Sequence, residues 1–130
     1  MAFFQSLIAY GVPAQVANAI ATDSVDTVPT RSVSTGLTAT GTTIADALQL
    51  TSLLNVITTA AASTGVKLPP VDSGFIGQSI TVKNAGANTI NVFPETAAVG
   101  FNRGALGTAV TLAAGAVGIY RRTTATNWES

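Results

Sequence analysis

The chain has 130 residues, 47% of them hydrophobic and only 9% charged, with six Lys+Arg against six Asp+Glu, and neither His nor Cys. The length suits one hydrophobic core, while the lack of Cys and His removes disulfides, thiolate chemistry, most zinc sites and the usual general base at neutral pH. Zero net charge favours association over repulsion, scattered cations argue against nucleic acid as a partner, and no stretch approaches the roughly 20 apolar residues of a membrane span.

Residues 1–22 read as a short helical arm. Phe3, Phe4, Leu7 and Ile8 form one apolar stripe, Gly11 sits where a helix would end, Pro13 suits the first turn of the next, and Val16, Ala17, Ile20 and Ala21 repeat the stripe. Helices this short are unstable alone in water. The stripes either pack on the chain's own body or dock on a neighbouring molecule. The start has no basic region and its apolar run is broken by Gln5 and Ser6, so a chain made without export is expected. Residues 23–41, rich in Thr, Ser, Val and Gly and interrupted by Pro29, read as an extended linker.

Residues 42–130 carry the signature of β structure. Thr42 to Leu50 suits a strand through Ile44, Leu48 and Leu50, although Ala45 to Leu48 would also suit a helical turn. Leu53 to Thr59 alternates and is β-branched, and Gly65 to Leu68 is a short strand stopped by Pro69-Pro70. Ser79 to Asn84 and Thr89 to Phe93 flank Ala85-Gly86-Ala87, and Ala109 to Leu112 and Val117 to Arg122 flank Ala114-Gly115-Ala116. Each pair reads as a β-hairpin. Trp128 is expected to be a large apolar anchor. Arg121-Arg122, the one basic pair, reads as the solvated end of an edge strand. The fold class expected is mainly β: a small antiparallel β-sandwich or barrel of about six to eight strands with a short N-terminal helical arm.

No two of the carboxylates Asp23, Asp26, Asp46, Asp72, Glu95 and Glu129 lie in an acid/base or metal-loop spacing. An enzyme is not expected, nor a cofactor or a metal. The best exposed aromatic for stacking a sugar is Phe101, with Asn102 and Arg103 beside it; the plainer reading is a packed loop anchor.

Thr64-Gly65-Val66-Lys67-Leu68-Pro69, the run from Ile80 to Pro94 with its Asn84-Ala85-Gly86-Ala87 turn and Ile90-Asn91-Val92-Phe93-Pro94 strand, Leu112-Ala113-Ala114-Gly115 and the terminal Trp128 resemble small virion proteins of tailed bacteriophages. That resemblance spans about residues 43–130. It implies a β-structured, usually trimeric protein on the capsid exterior or a fibre, made in the host bacterial cytoplasm. The function expected from it is capsid decoration: a cement protein binding between or on capsomers, with the major capsid protein and its own copies as partners. The capsid-docking residues would then be Phe3, Phe4, Leu7 and Ile8, supported by Val16 and Ile20. The alternatives are a fibre-type protein binding a receptor or host-surface glycan, and a tail or baseplate component.

Overall fold

The computed structural model describes residues 32–70 and 76–130, which belong to one compact unit, Ser32–Ser130. The docking residues Phe3, Phe4, Leu7, Ile8, Val16 and Ile20, and the arm that carries them, lie outside the described residues. Within them the protein is mainly β and contains no helix. Ten strands are present: β1 (Val33–Thr38), β2 (Leu48–Gln49), β3 (Leu54–Thr59), β4 (Gly65–Lys67), β5 (Ser79–Asn84), β6 (Ile90–Phe93), β7 (Gly100–Phe101), β8 (Val110–Leu112), β9 (Val117–Thr124) and β10 (Asn127–Glu129). β1 falls inside the stretch expected as linker, and Ala39 just after it is buried in the core.

The strands form a six-stranded sheet, ordered β1-β3-β5-β9-β10-β7, and a four-stranded sheet, ordered β2-β4-β6-β8. From β1 to β6 the chain alternates between the two sheets, and each return lies parallel to the strand one coil earlier: β1 with β3, β3 with β5, β2 with β4, β4 with β6. β8 and β9 then run antiparallel to β6 and β5. The expected all-antiparallel arrangement is therefore corrected to two mixed sheets.

Both expected hairpins are corrected as well. β5 and β6 lie in different sheets, as do β8 and β9, so each glycine-containing turn is an arch across the core. The Ala85 N–H donates to the Ile57 carbonyl of the preceding coil at 2.7 Å, where a hairpin would have sent its bonds across the turn. Asn84, fully buried, holds the first arch: its Nδ2 donates to the carbonyls of Asn88 (2.8 Å) and Leu112 (3.0 Å), and its Oδ1 accepts the Gly86 N–H (3.0 Å). A side chain at Gly86 would place its Cβ 2.8 Å from the Ala60 Cβ and 3.0 Å from the Ala60 backbone nitrogen, so the arch can pack on the coil below only with glycine there. Among the described residues the one true hairpin of adjacent strands joins β9 to β10.

Between the sheets lies one core. Ile57, Ile80, Val82 and Tyr120 point inward from the larger sheet and Val66, Ile90, Val92 and Leu112 from the smaller, with Leu50 and Leu68 filling the ends. The period-2 pattern of β5 and β6, with Ile80, Val82, Ile90 and Val92 buried and Thr81, Lys83 and Asn91 less so, is what burying one face of each strand requires. Thr42 to Leu50 is strand only at Leu48–Gln49. The residues before it turn around Asp46, whose Oδ1 accepts the Thr43 hydroxyl (2.7 Å) and the backbone N–H groups of Thr43 (2.7 Å) and Thr42 (3.1 Å). Those bonds, the Thr43 hydroxyl first, hold the Asp46 carboxyl below its ordinary range.

Candidate docking surface

Parallel and antiparallel partners in register share a face of the sheet, so the pairing of the six-stranded sheet fixes which side chains stand together outside it. One row runs Val33, Leu54, Thr81, Ile119 across β1, β3, β5 and β9; the next runs Val56, Lys83, Val117. Val33, Val117 and Ile119 are 55%, 56% and 56% exposed, and Leu54 and Val56 are half-buried. These are β-branched and aliphatic side chains, favoured in strands for their fit to a pleated surface. Here nothing in the chain's core covers them. Three of the five exposed large hydrophobic residues among those described thus sit on one sheet face.

Charge on that face is unequal. Lys83 donates to the Gly115 carbonyl and Arg121 donates from Nε to the Ser79 hydroxyl at 3.2 Å; among the described residues neither has a carboxylate within ion-pair distance. Glu129 stands beside Arg121 at the β10 end, but it is paired with Arg103 at 3.4 Å and accepts the Asn127 amide at 3.0 Å.

The sheet edges offer less. β1 carries register shifts around Gly36, which has φ +69°, so its ladder is irregular; β2 and β7 are two residues each. Irregular or very short edges are poor templates for strand addition. The faces remain.

The basic pair divides. Arg121 is exposed, but Arg122 is buried, which corrects its reading as a solvated edge charge. Alternation along β9 turns Gly118, Tyr120 and Arg122 inward. There the Arg122 guanidinium pairs with Glu95, donates from Nε to the Thr124 carbonyl (2.7 Å) and lies 5.2 Å from the centre of the Trp128 ring. Glu95 also accepts the Trp128 indole N–H, at 2.7 Å. Trp128 is fully buried, the anchor expected. Sequence alone gave no signal for the Glu95–Arg122 pair, whose members are far apart in the chain and join only once the sheets close.

Phe101 is buried and packs at 5.6 Å against Tyr120, so it is a loop anchor and presents no ring to a ligand. Its neighbours form something else. Asn102 and Arg103 both adopt left-handed backbone, φ 51° and 60°. The Asn102 amide clamps the backbone N–H and hydroxyl of Ser130 (2.9 and 3.0 Å), while the Arg103 N–H donates to the buried Asn127 amide oxygen (2.8 Å). Beside this loop is an open cleft of about 510 Å³ lined by Arg103, Leu106, Thr123, Thr124, Thr126 and Asn127.

Among the described residues no three acidic groups gather to hold a metal ion, and no helix is long and apolar enough to cross a membrane. Comparisons with protein-family models, with curated proteins and with solved structures find no match.

Proposed function

We propose that the chain is a virion structural protein of a tailed bacteriophage, decorating and stabilising the capsid by binding on or between capsomers. Its two sheets are read as the layers of a small β-sandwich, and its partners as the major capsid protein and, in a homotrimer, its own copies. No nucleic acid, membrane, cofactor or catalytic step enters this role. Support comes from the sequence resemblance to phage virion proteins and, above all, from one observation: the paired apolar rows on the outer face of the six-stranded sheet. Exposed apolar side chains grouped on one face, rather than scattered singly, suit an interaction site. Repetition over a symmetric shell turns a weak contact into firm occupancy.

Co-sedimentation with empty shells tests it. Val117→Thr with Ile119→Thr keeps strand propensity and removes apolar surface, and is expected to weaken shell binding about tenfold with the fold unchanged by circular dichroism. Equal binding by the variant and the wild type would remove the face from the role. Deletion of residues 1–22 probes the arm separately: undiminished binding would show that Phe3, Phe4, Leu7, Ile8, Val16 and Ile20 are not the capsid contacts. Light scattering that gives a monomer at micromolar concentration counts against the trimer.

A second reading, a fibre-type protein binding a host-surface glycan, draws on the open cleft beside Arg103, which Thr123, Thr124, Thr126 and Asn127 also line. Binding to host polysaccharide that Arg103→Ala abolishes would favour it over decoration.

A further inference from the structure

The apolar rows suit a face that docks another molecule, and the charges among them bear on which. Two occupants from outside the chain compete: a second copy of the same face, and a different protein. Area does not separate them: three side chains slightly over half exposed and two half-buried ones amount to on the order of 300 Å² of apolar area, below the roughly 800 Å² that each partner of a stable interface buries in all. The charges oppose a second copy. Packing the face on itself brings Lys83 and Arg121 toward their own counterparts, with Glu129, already bonded to Arg103, as the only carboxylate on that face among the described residues. Like charges brought together across an interface suppress a wrong partner.

We propose that the outer face of the six-stranded sheet docks a different protein whose apolar surface is flanked by carboxylates placed to meet Lys83 and Arg121, an inference that rests on the decoration role above and assigns its partner's chemistry. The geometry suits this division of labour. Lys83 stands in register between Val56 and Val117, in the middle of the apolar surface, and Arg121 follows Ile119 on the same face of β9, at its rim. The Gly115 carbonyl and the Ser79 hydroxyl fix the two cationic groups without neutralising them. A neutral apolar partner would leave Lys83 desolvated without a counter-charge, which is costly. A carboxylate opposite it removes that cost and fixes the register of docking. The small apolar area then supplies modest affinity per copy, and the charge pairing supplies selectivity. The homotrimer, in this scheme, uses another surface.

The test is equilibrium binding of the full-length chain to purified empty shells at 0.1 M and 1 M NaCl, between which the screening length falls from roughly 10 Å to about 3 Å. Wild-type affinity is expected to drop about fivefold or more at high salt. The double variant Lys83→Glu with Arg121→Glu is expected to bind at least about tenfold more weakly than wild type at 0.1 M NaCl. Lys67→Glu makes the same change on the outer side of the four-stranded sheet, where Lys67 pairs in register with Gln49, and is expected to bind as wild type does. Because Lys83 also bonds the Gly115 turn, Lys83→Gln, with its melting transition recorded, separates lost charge from a damaged fold. Salt-independent binding, or equal weakening by the Lys67 variant, overturns the carboxylate-bearing partner and leaves decoration standing. Failure of the wild type to bind shells at either salt concentration overturns decoration itself, and this assignment with it.

Discussion

Trp128 donates its indole N–H to the Glu95 carboxylate at 2.7 Å, and both side chains are buried. Glu95 follows β6 of the smaller sheet and Trp128 lies on β10 of the larger. With Arg122 on β9 they form a buried polar cluster, and removing one member strands the others. Glu95→Ala leaves a buried guanidinium without its counter-charge and is expected to cost about 3–5 kcal/mol. Trp128→Phe removes one donor and some volume and is expected to cost about 2–3 kcal/mol. Urea unfolding monitored by far-ultraviolet circular dichroism measures both. Glu95→Ala is expected to be the more severe.

Two fully buried asparagines should respond very unequally to the same substitution. Asn84 satisfies three backbone groups around the first arch, one of them, the Leu112 carbonyl, in the other sheet. Asn84→Leu orphans all three and is expected to destabilise by about 3 kcal/mol or more. Asn55 donates from Nδ2 to the Ser52 carbonyl at 2.7 Å and to the Thr81 carbonyl at 3.5 Å, while its Oδ1 has no partner. Asn55→Leu loses one short and one long bond but also removes a buried unpaired acceptor, so its cost is expected to be smaller, about 1–2 kcal/mol. The difference between the two midpoints is the test.

Burial pushes the Tyr120 hydroxyl up to about 12 from its ordinary 10.0. In that interval the unfolded chain has released the proton and the folded chain still holds it, so rising pH favours unfolding. The contribution is fully present below pH 10 and is lost as pH rises to about 12, on the order of 2 kcal/mol in all. Tyr120→Phe is expected to flatten this limb of the stability curve relative to wild type. Denaturation midpoints taken in steps from pH 9 to pH 12 decide it.

Gly86→Ala introduces a Cβ against the backbone of Ala60 in the preceding coil, where neither side can yield by a side-chain rotation. The expected cost is about 1–3 kcal/mol, typical of overpacking. Gly115, also in an arch, has φ +79° and open space around its Cβ position, so any cost of Gly115→Ala is conformational. Thermal melts of the two variants separate steric from backbone effects.

The β character of the body was legible in the chain because alternation at Ile80 to Lys83 and at Ile90 to Val92 reports a strand with one buried face. Topology was not. Inward Ile80 and Val82 match inward Ile90 and Val92 equally well as neighbours in one sheet and as opposites across a core, so the pattern suits hairpin and arch alike. The deciding information lies in long-range bonds such as Ala85 N–H to Ile57 carbonyl, which no local window contains. Arg122 misled for a related reason: a charge reads as solvated unless its partner is known, and Glu95 lies in another part of the chain. The docking rows escape notice in the chain because alternation along Val117 to Arg122 makes the apolar pair Val117 and Ile119 the natural core face. β9 buries the alternate set, Tyr120 and Arg122, so a one-residue change of face moved Val117 and Ile119 outside.

Stacking by coils also governs how such a body can change over evolutionary time. From β1 to β6 each strand bonds only to the coil before and the coil after, and the antiparallel return of β8 and β9 closes the stack on one side. Nearest-neighbour construction makes a whole coil the natural unit of insertion or loss. Adding one lengthens both sheets by a strand and leaves the existing pairs in register, whereas a single residue inserted within β3 or β5 turns part of that strand inside out. The apolar rows on the outer face would grow by one column with each added coil, so the reach of the surface and the size of the core are tied to one integer.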